Sequence, residues 1–256
     1  MNTKISCQRL HDKAIDFTCD TSKGYEVRAL HVYDPHKADY VTKNEIFDLV
    51  YPVACSAFCR VDSEEMRQDV MSHVFSSRHL AIVFNDENHC IAFRMWDFIP
   101  LNPAVDILYL AGIGIRQDFQ GQGIGTSLLQ YVLDTESYTE KIRSLQMQRS
   151  QCNYAALRTQ NPIVKAYFDR AIGGESFPQR EGSIIPEDIV KVAKTVAQYI
   201  SDDHFNGGSL ISRGAYGHTI YGEGYRLESK IHDNSALRTL DVQAGDALYC
   251  IYALSV

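Results

Sequence analysis

Residues 118–130 read DFQGQGIGTSLLQ, with glycines at 121, 123 and 125 running directly into an apolar pattern. Glycine at every second position leaves the backbone without side-chain cover, and Leu128, Leu129, Val132 and Leu133 then fill one helical face. A plain strand-to-helix turn uses such a backbone, and so does a cradle for phosphate. A P-loop is excluded because no Gly-Lys-Ser/Thr follows, and a dinucleotide fingerprint needs G-x-G-x-x-G after a parallel strand, whereas the spacing here is G-x-G-x-G. Beside the plain turn there remains a helix start whose backbone N–H groups meet a pyrophosphate.

Upstream, HLAIVFN and CIAFRMWDFI flank the polar turn DENH as antiparallel partners, and DILYLAGIGI follows the break PLNP as a third strand. That strand carries Gly112 and Gly114 in its interior, where glycine weakens pairing unless a bulge or a close backbone approach calls for it. Two helices come before the meander. One is TKNEIFDLVYPVACSAF, with Ile46, Leu49, Val50 and Val53 at helical spacing and Thr42 or Asn44 as its cap. The other is SEEMRQDVMSHVF, opened by Ser63 ahead of two glutamates. Residues 1–40 are mixed, with GYEVRALHVYD strand-like.

Downstream, SLQMQRSQCN reads as a strand. In RTQNPIVKAYFDRAIGG a helix starts near Asn161, has Pro162 at its first position, and stops at Gly173 and Gly174. Past residue 183 the texture changes: PEDIVKVAKTVAQYI is an amphipathic helix, NGGSLISRGAYGHTIYGEGY is rich in glycine and tyrosine and suggests a hairpin, and DALYCIYAL is a closing strand.

Composition narrows the function. The 256 residues are 45% apolar and carry 25 basic against 32 acidic groups, a formal charge of −7, which argues against a general binder of nucleic acid or anionic membrane. Seven cysteines without a CxxC pair or zinc spacing read as reduced thiols, and no metal site is expected. The N-terminus lacks a signal-peptide core, and no run approaches the ~18 apolar residues that span a bilayer, so a cytoplasmic location is expected.

The stretch LAGIGIRQDFQGQGIGTSLL resembles the acyl-CoA motif of the GNAT superfamily of N-acetyltransferases, with Gln120, Gly123 and Gly125 matching Arg/Gln-x-x-Gly-x-Gly/Ala. RTQNPIVKAYFDRAIGG is similar to that family's later helix, and the element order from about Thr42 to Gly174 also agrees. The resemblance implies an α+β fold with a splayed, mostly antiparallel central sheet flanked by helices: an N-terminal extension (1–40), an acyl-CoA-binding core (41–182), and a C-terminal part (183–256) completing the sheet and the acceptor side. It further implies acetyl-CoA or another acyl-CoA as co-substrate. The backbone of Ile113, Gly114 and Ile115 would pair with pantetheine, Gln120, Gly121, Gln122, Gly123, Ile124, Gly125 and Thr126 would surround the pyrophosphate, and Asn161 would add a contact. Gly112 and Gly114 suit the family's strand bulge.

Transfer of an acetyl group to an amine needs a neutral amine, a donor for the oxyanion and a proton for the thiolate. By the resemblance, the oxyanion donor is the N–H of Ile115. The family's tyrosine, seven residues past the asparagine, is here Phe168; Tyr167 is the candidate acid, rotated about 100° from that position, with water or another hydroxyl as substitute. Asp106 and Tyr109 are candidates for the base on the third meander strand, and His79 reads as core or surface. Arg158 reads as ion-paired and Trp96 as core, while Tyr216, His218 and Tyr221 are candidates for the acceptor side. The expected activity is N-acetylation of a small primary amine by direct attack in a ternary complex. A protein or peptide N-acetyltransferase and a non-catalytic acyl-CoA-binding protein are the alternatives, and a homodimer is left open.

Overall fold

The structure is a computed structural model and describes residues 14–20, 24, 26–133, 151–179, 182–223, 225 and 235–254. These fall into two compact units. The first takes the described residues up to Trp96 and from Ala111 to Leu133; the second takes Asp97–Leu110 and those from Gln151 onward.

In the first unit β1 (Ala14–Asp20), β2 (Glu26–Tyr33), β3 (His79–Phe84) and the start of β4 (Cys90–Asn102) pair antiparallel in that order. β5 (Val105–Ile115) adds its C-terminal half. Side chains alternate along these strands, so each strand serves two faces. Leu30, Val32, Leu80, Ile82, Phe84, Phe93 and Met95 form one face and pack with Ile46, Val50 and Val53 of α1 (Tyr40–Phe58) and Met66, Val70 and Val74 of α2 (Glu64–Ser76). Each fully buried aliphatic or aromatic side chain there contributes about 1.5–3 kcal/mol. The other face holds His31, His79, Arg94 and Trp96, all buried, so every residue of β3 is enclosed.

Helix starts follow local chemistry. Ser63 caps α2, accepting from the Met66 N–H at 3.1 Å, with Glu64 and Glu65 in the positive first turn. α1 begins earlier than expected. Its cap is Asp39, whose carboxylate takes the Thr42 N–H at 2.9 Å and the Thr42 hydroxyl at 3.1 Å, so Thr42 is capped rather than capping, and Asn44 lies inside the helix.

In the second unit the start of β5 pairs parallel with β6 (Gln151–Thr159). The register shifts between Asp106 and Ile107, where Asn153 is the extra residue, and the pairs among the described residues run to Tyr109 opposite Ala156. β6 continues to Thr159 against the antiparallel β10 (Ala247–Ala253). β10 also pairs with β7 (Ser176–Phe177) and β9 (Ile211–Ser212), and β9 with β8 (Phe205–Asn206). The sheet is therefore mixed and mostly antiparallel. Three helices accompany this unit: α4 (Pro162–Ile172), whose bounds match the sequence reading; α5 (Glu187–Tyr199), which buries Ile189, Val192, Ala193, Val196 and Ala197; and the short α6 (Ser235–Arg238). Residues 144–150 of the strand read from SLQMQRSQCN lie outside the described residues. At the start of the Gly/Tyr-rich stretch β8 and β9 make a short antiparallel hairpin that joins β10, and residues 213–223 form turns and bends.

No helix among the described residues is long and apolar enough to cross a membrane.

Candidate functional site

The glycine stretch forms the start of α3 (Ile124–Leu133). The Gly123 carbonyl accepts from the Ser127 N–H at 3.1 Å, the first bond of the helix. Helix geometry therefore gives the N–H groups of Ile124, Gly125 and Thr126 no intrahelical acceptor, and the helix dipole adds partial positive charge at this end. Gly121 and Gly123 have φ of +70° and +89°, left-handed values that side-chain-bearing residues rarely adopt. Gly121 is exposed, and a Cβ built on it would meet nothing within 4 Å. Thr126 is exposed and Gly125 is buried. Open space over the bare backbone of Gly121, together with the free first-turn N–H groups, is compatible with an anionic group such as a diphosphate.

The loop leading into this helix is tied at three points. Gln120 Nε2 donates to the Ile115 carbonyl at 3.0 Å, Gln122 Nε2 donates to the Asp118 carbonyl at 2.9 Å, and the Arg116 N–H donates to Ile91 O at 2.9 Å. The end of α1 adds a further grip. Ser56 Oγ accepts from the Gln117 N–H at 3.2 Å, and Cys59 Sγ lies 2.7 Å from Gln117 Nε2. Sequence reasoning missed Ser56 and Cys59, since nothing local in α1 signals a partner some sixty positions away.

Gly112 and Gly114 have a packing role. A Cβ at Gly114 would sit 2.4 Å from Cε1 of the buried Phe93 ring, and one at Gly112 would sit 2.6 Å from Met95 Cε. These glycines let β5 pass close over the two large β4 side chains.

Asp106 is the second residue of β5, half-buried and opposite Cys152; Tyr109 is buried on the same strand. Burial pushes the Tyr109 phenol well above its ordinary range, partly countered by the Arg158 cation, so it stays protonated at neutral pH. His79 is core, 1% exposed, and Trp96 is fully buried.

Asn161 caps α4, its Oδ1 accepting from the Ile163 N–H at 2.8 Å, and its Nδ2 donates to the Tyr225 hydroxyl at 2.7 Å. It is 1% exposed beneath Tyr225, which stacks on Tyr221 at 4.1 Å. No sequence signal links Tyr225 to Asn161, which are 64 positions apart. Phe168 is buried toward Tyr252, while Tyr167 is half-buried and meets Phe168 edge-on at 4.8 Å.

The second unit also contains a charged hub. Arg158 pairs with Asp202 at 2.9 Å and lies 4.5 Å over the Tyr216 ring. Asp202 accepts further bonds from Ser212 Oγ and the Tyr249 hydroxyl, each at 2.6 Å. Burial alone would raise the Asp202 carboxyl, but the donors Ser212, Tyr249 and Arg158 hold it below the usual carboxylate range. Among the described residues no group of three or more His, Cys, Asp or Glu side chains is placed to hold a metal ion.

Residues 45–159 match the model of the acetyltransferase (GNAT) family. A comparison with curated proteins finds no match. Among solved structures, a candidate phosphinothricin N-acetyltransferase aligns at TM-score 0.42 and 13% identity, over 89% of this chain and 99% of that one. A GNAT-family acetyltransferase from Staphylococcus aureus Mu50 aligns at 0.37 and 13%, over 59% of this chain and 87% of its own. The catalytic domain of the Tetrahymena GCN5 histone acetyltransferase, solved with coenzyme A, aligns at 0.36 and 10%, over 57% and 75%. All three scores lie below 0.5, so the assignment rests on the sequence match. Over residues 45–159, a little under half of its length, the chain is similar to the acetyltransferase (GNAT) family, and that match supports acyl-CoA-dependent acyl transfer.

Proposed function

We propose that the protein is an N-acetyltransferase that moves an acetyl group from acetyl-CoA to the primary amine of a small molecule by direct attack. The observation that carries this reading is the start of α3, where left-handed Gly121 and Gly123 bare a first turn of N–H donors. The acyl-CoA supplies an activated thioester carbonyl. The chain would hold its diphosphate with the N–H groups of Ile124, Gly125 and Thr126, add the Thr126 hydroxyl, and leave Gly121 and Gly123 flat beneath it. Gln120 fixes the carbonyl of Ile115, which orients the end of β5; the Ile115 N–H is assigned as oxyanion donor.

Two features favour direct attack over a covalent acyl-enzyme. The Cys250 thiol is buried and pushed up to about 12 by desolvation, so it does not supply a thiolate at neutral pH. The Cys59 sulfur lies 2.7 Å from the side-chain amide of Gln117, a group that cannot act as a base toward it. Tyr167 remains the assigned proton donor and Asp106 the assigned base, with water as the carrier where neither reaches. A second reading, an acyl-CoA-binding protein without turnover, is favoured by one observation: the expected tyrosine position holds Phe168, which is 2% exposed.

The test measures CoA affinity and amine-dependent thiol release from acetyl-CoA across a panel of small amines and peptides. Gly123→Leu, forced to a φ of +89°, is expected to lose CoA binding by about a hundredfold or more; retained affinity would sink the site. Release with small amines supports the proposal, and release with peptides alone transfers it to a protein acetyltransferase. Tight CoA binding with no release under any amine favours the non-enzyme.

A further inference from the structure

Two buried imidazoles and a half-buried phenol form a chain of polar rings at α3 that the reaction does not use. His31 of β2 is 1% exposed and places Nε2 3.1 Å from Nδ1 of His79 on β3, itself 1% exposed. The other nitrogen, Nδ1 of His31, lies 3.2 Å from the hydroxyl of Tyr131 on α3. Phe17 of β1 stacks flat on Tyr131 at 3.7 Å, and Trp96 of β4 packs against both imidazoles, at 4.9 Å from His31 and 5.3 Å from His79. Tyr131 sits seven residues, two helical turns, past Ile124, on the same rigid rod as the donors described above.

We infer that His31 and His79 are positioning residues for the acyl-CoA loop: through Tyr131 they hold α3 to the sheet, and they make acyl-CoA binding sensitive to acid. The inference rests on the reading of the α3 start as the diphosphate site. With both imidazoles neutral, one proton lies between His31 and His79, and the outer nitrogen of His31 exchanges one hydrogen bond with Tyr131. Adding a proton places a cation in an enclosure almost without solvent. Tyr33 of β2, whose ring lies 5.2 Å from His79, Arg94 of β4, buried on the same face, and Tyr131 of α3 face the pair. A second added proton would set two N–H groups against each other across 3.1 Å. The strands cannot yield, because Tyr33 pairs with His79, His31 with Ala81, and His79 with Trp96 in continuous ladders. The movable end is Tyr131, and with it the helix.

The experiment titrates CoA into the full chain, its His79→Gln variant and its Tyr131→Phe variant at about pH 8 and about pH 5.5, either side of the ordinary imidazole value of about 6.5. Thermal unfolding without CoA is followed in parallel. The phosphates of CoA titrate equally in all three arms, so the comparison between proteins cancels them. Wild type is expected to lose affinity on acidification about fivefold more than His79→Gln, roughly the worth of one net hydrogen bond. Tyr131→Phe keeps the ring stack and is expected to bind CoA about fivefold more weakly at the higher pH, with the acid sensitivity gone. In turnover the loss appears in KM with kcat unchanged. Equal pH dependence in wild type and His79→Gln overturns the inference, as does an acid effect on melting that leaves affinity unmoved, which would make the chain structural alone. Absence of CoA binding by wild type at the higher pH overturns the diphosphate reading first, and the inference with it. The melting data then show separately whether the chain responds to acid.

Discussion

Each unit shows a different way of holding strands in place, hydrocarbon packing in the first and a buried charge network in the second. In the first, the face under α1 and α2 is hydrocarbon throughout, from Leu30 and Ile82 to Ile46 and Val70. In the second, β6 and β10 are tied by Arg158, Asp202, Ser212 and Tyr249, and α4 is tied to β10 through Lys165, Asp169 and Tyr252. Hydrocarbon packing tolerates loss in proportion to the volume removed. A buried charge network is all or nothing, because removing one member leaves the others desolvated and unpaired. The first unit also carries the glycine loop, which depends on a backbone that does not shift.

That contrast can be broken by experiment. Asp202→Ala leaves the Arg158 guanidinium, 13% exposed, without its carboxylate, and is expected to cost about 3–5 kcal/mol in urea unfolding of the full chain. A loss under about 1 kcal/mol would show that the hub is not what holds its strands. The same residue should set an acid limit. Its folded carboxyl titrates below the ordinary value of about 3.9, so its contribution is complete above that value and is lost as pH falls through the lower folded value. Asp202→Asn should flatten the stability curve in that acid window, and parallel curves for the two proteins would refute the assignment.

In the hydrocarbon unit, Ile46→Ala, at a fully buried position, is expected to cost about 2–5 kcal/mol with no dependence on pH, and a pH-dependent loss would erase the distinction between the units. Gly114→Ala drives a methyl into the Phe93 ring and should cost about 1–3 kcal/mol. Gly112→Ala meets only the mobile end of Met95 and should cost less; equal losses would mean that both positions are limited by backbone strain. The smallest effect is expected at Ser63→Ala, about 1 kcal/mol for one helix cap, with CoA affinity unchanged.

Much of this was legible in the residues because it is local. Period-3.6 and period-2 patterns located α1, α2, α4, α5, β3 to β5 and β10, and Asn161 with Pro162 announced the start of α4. The glycine spacing marked the α3 start for the same reason: positive φ is a property of one residue and its immediate neighbours. What stayed hidden was set by distant partners. The cap of α1 moved to Asp39, the Arg158 ion pair found Asp202 across 44 positions, and the Asn161 amide is committed to Tyr225. His79 read as an isolated histidine, and only strand pairing set it beside His31.

The sequence alone therefore determined most of the elements, their order and a glycine-rich helix start, since each depends on short-range backbone preference and side-chain periodicity. Only the tertiary structure decided why Gly112 and Gly114 are glycine, which charges are buried together, and that two histidines are linked to the loop helix. Those facts depend on register and on burial, which bring together residues with no periodic relation along the chain, and burial alone gives a polar group its energetic weight.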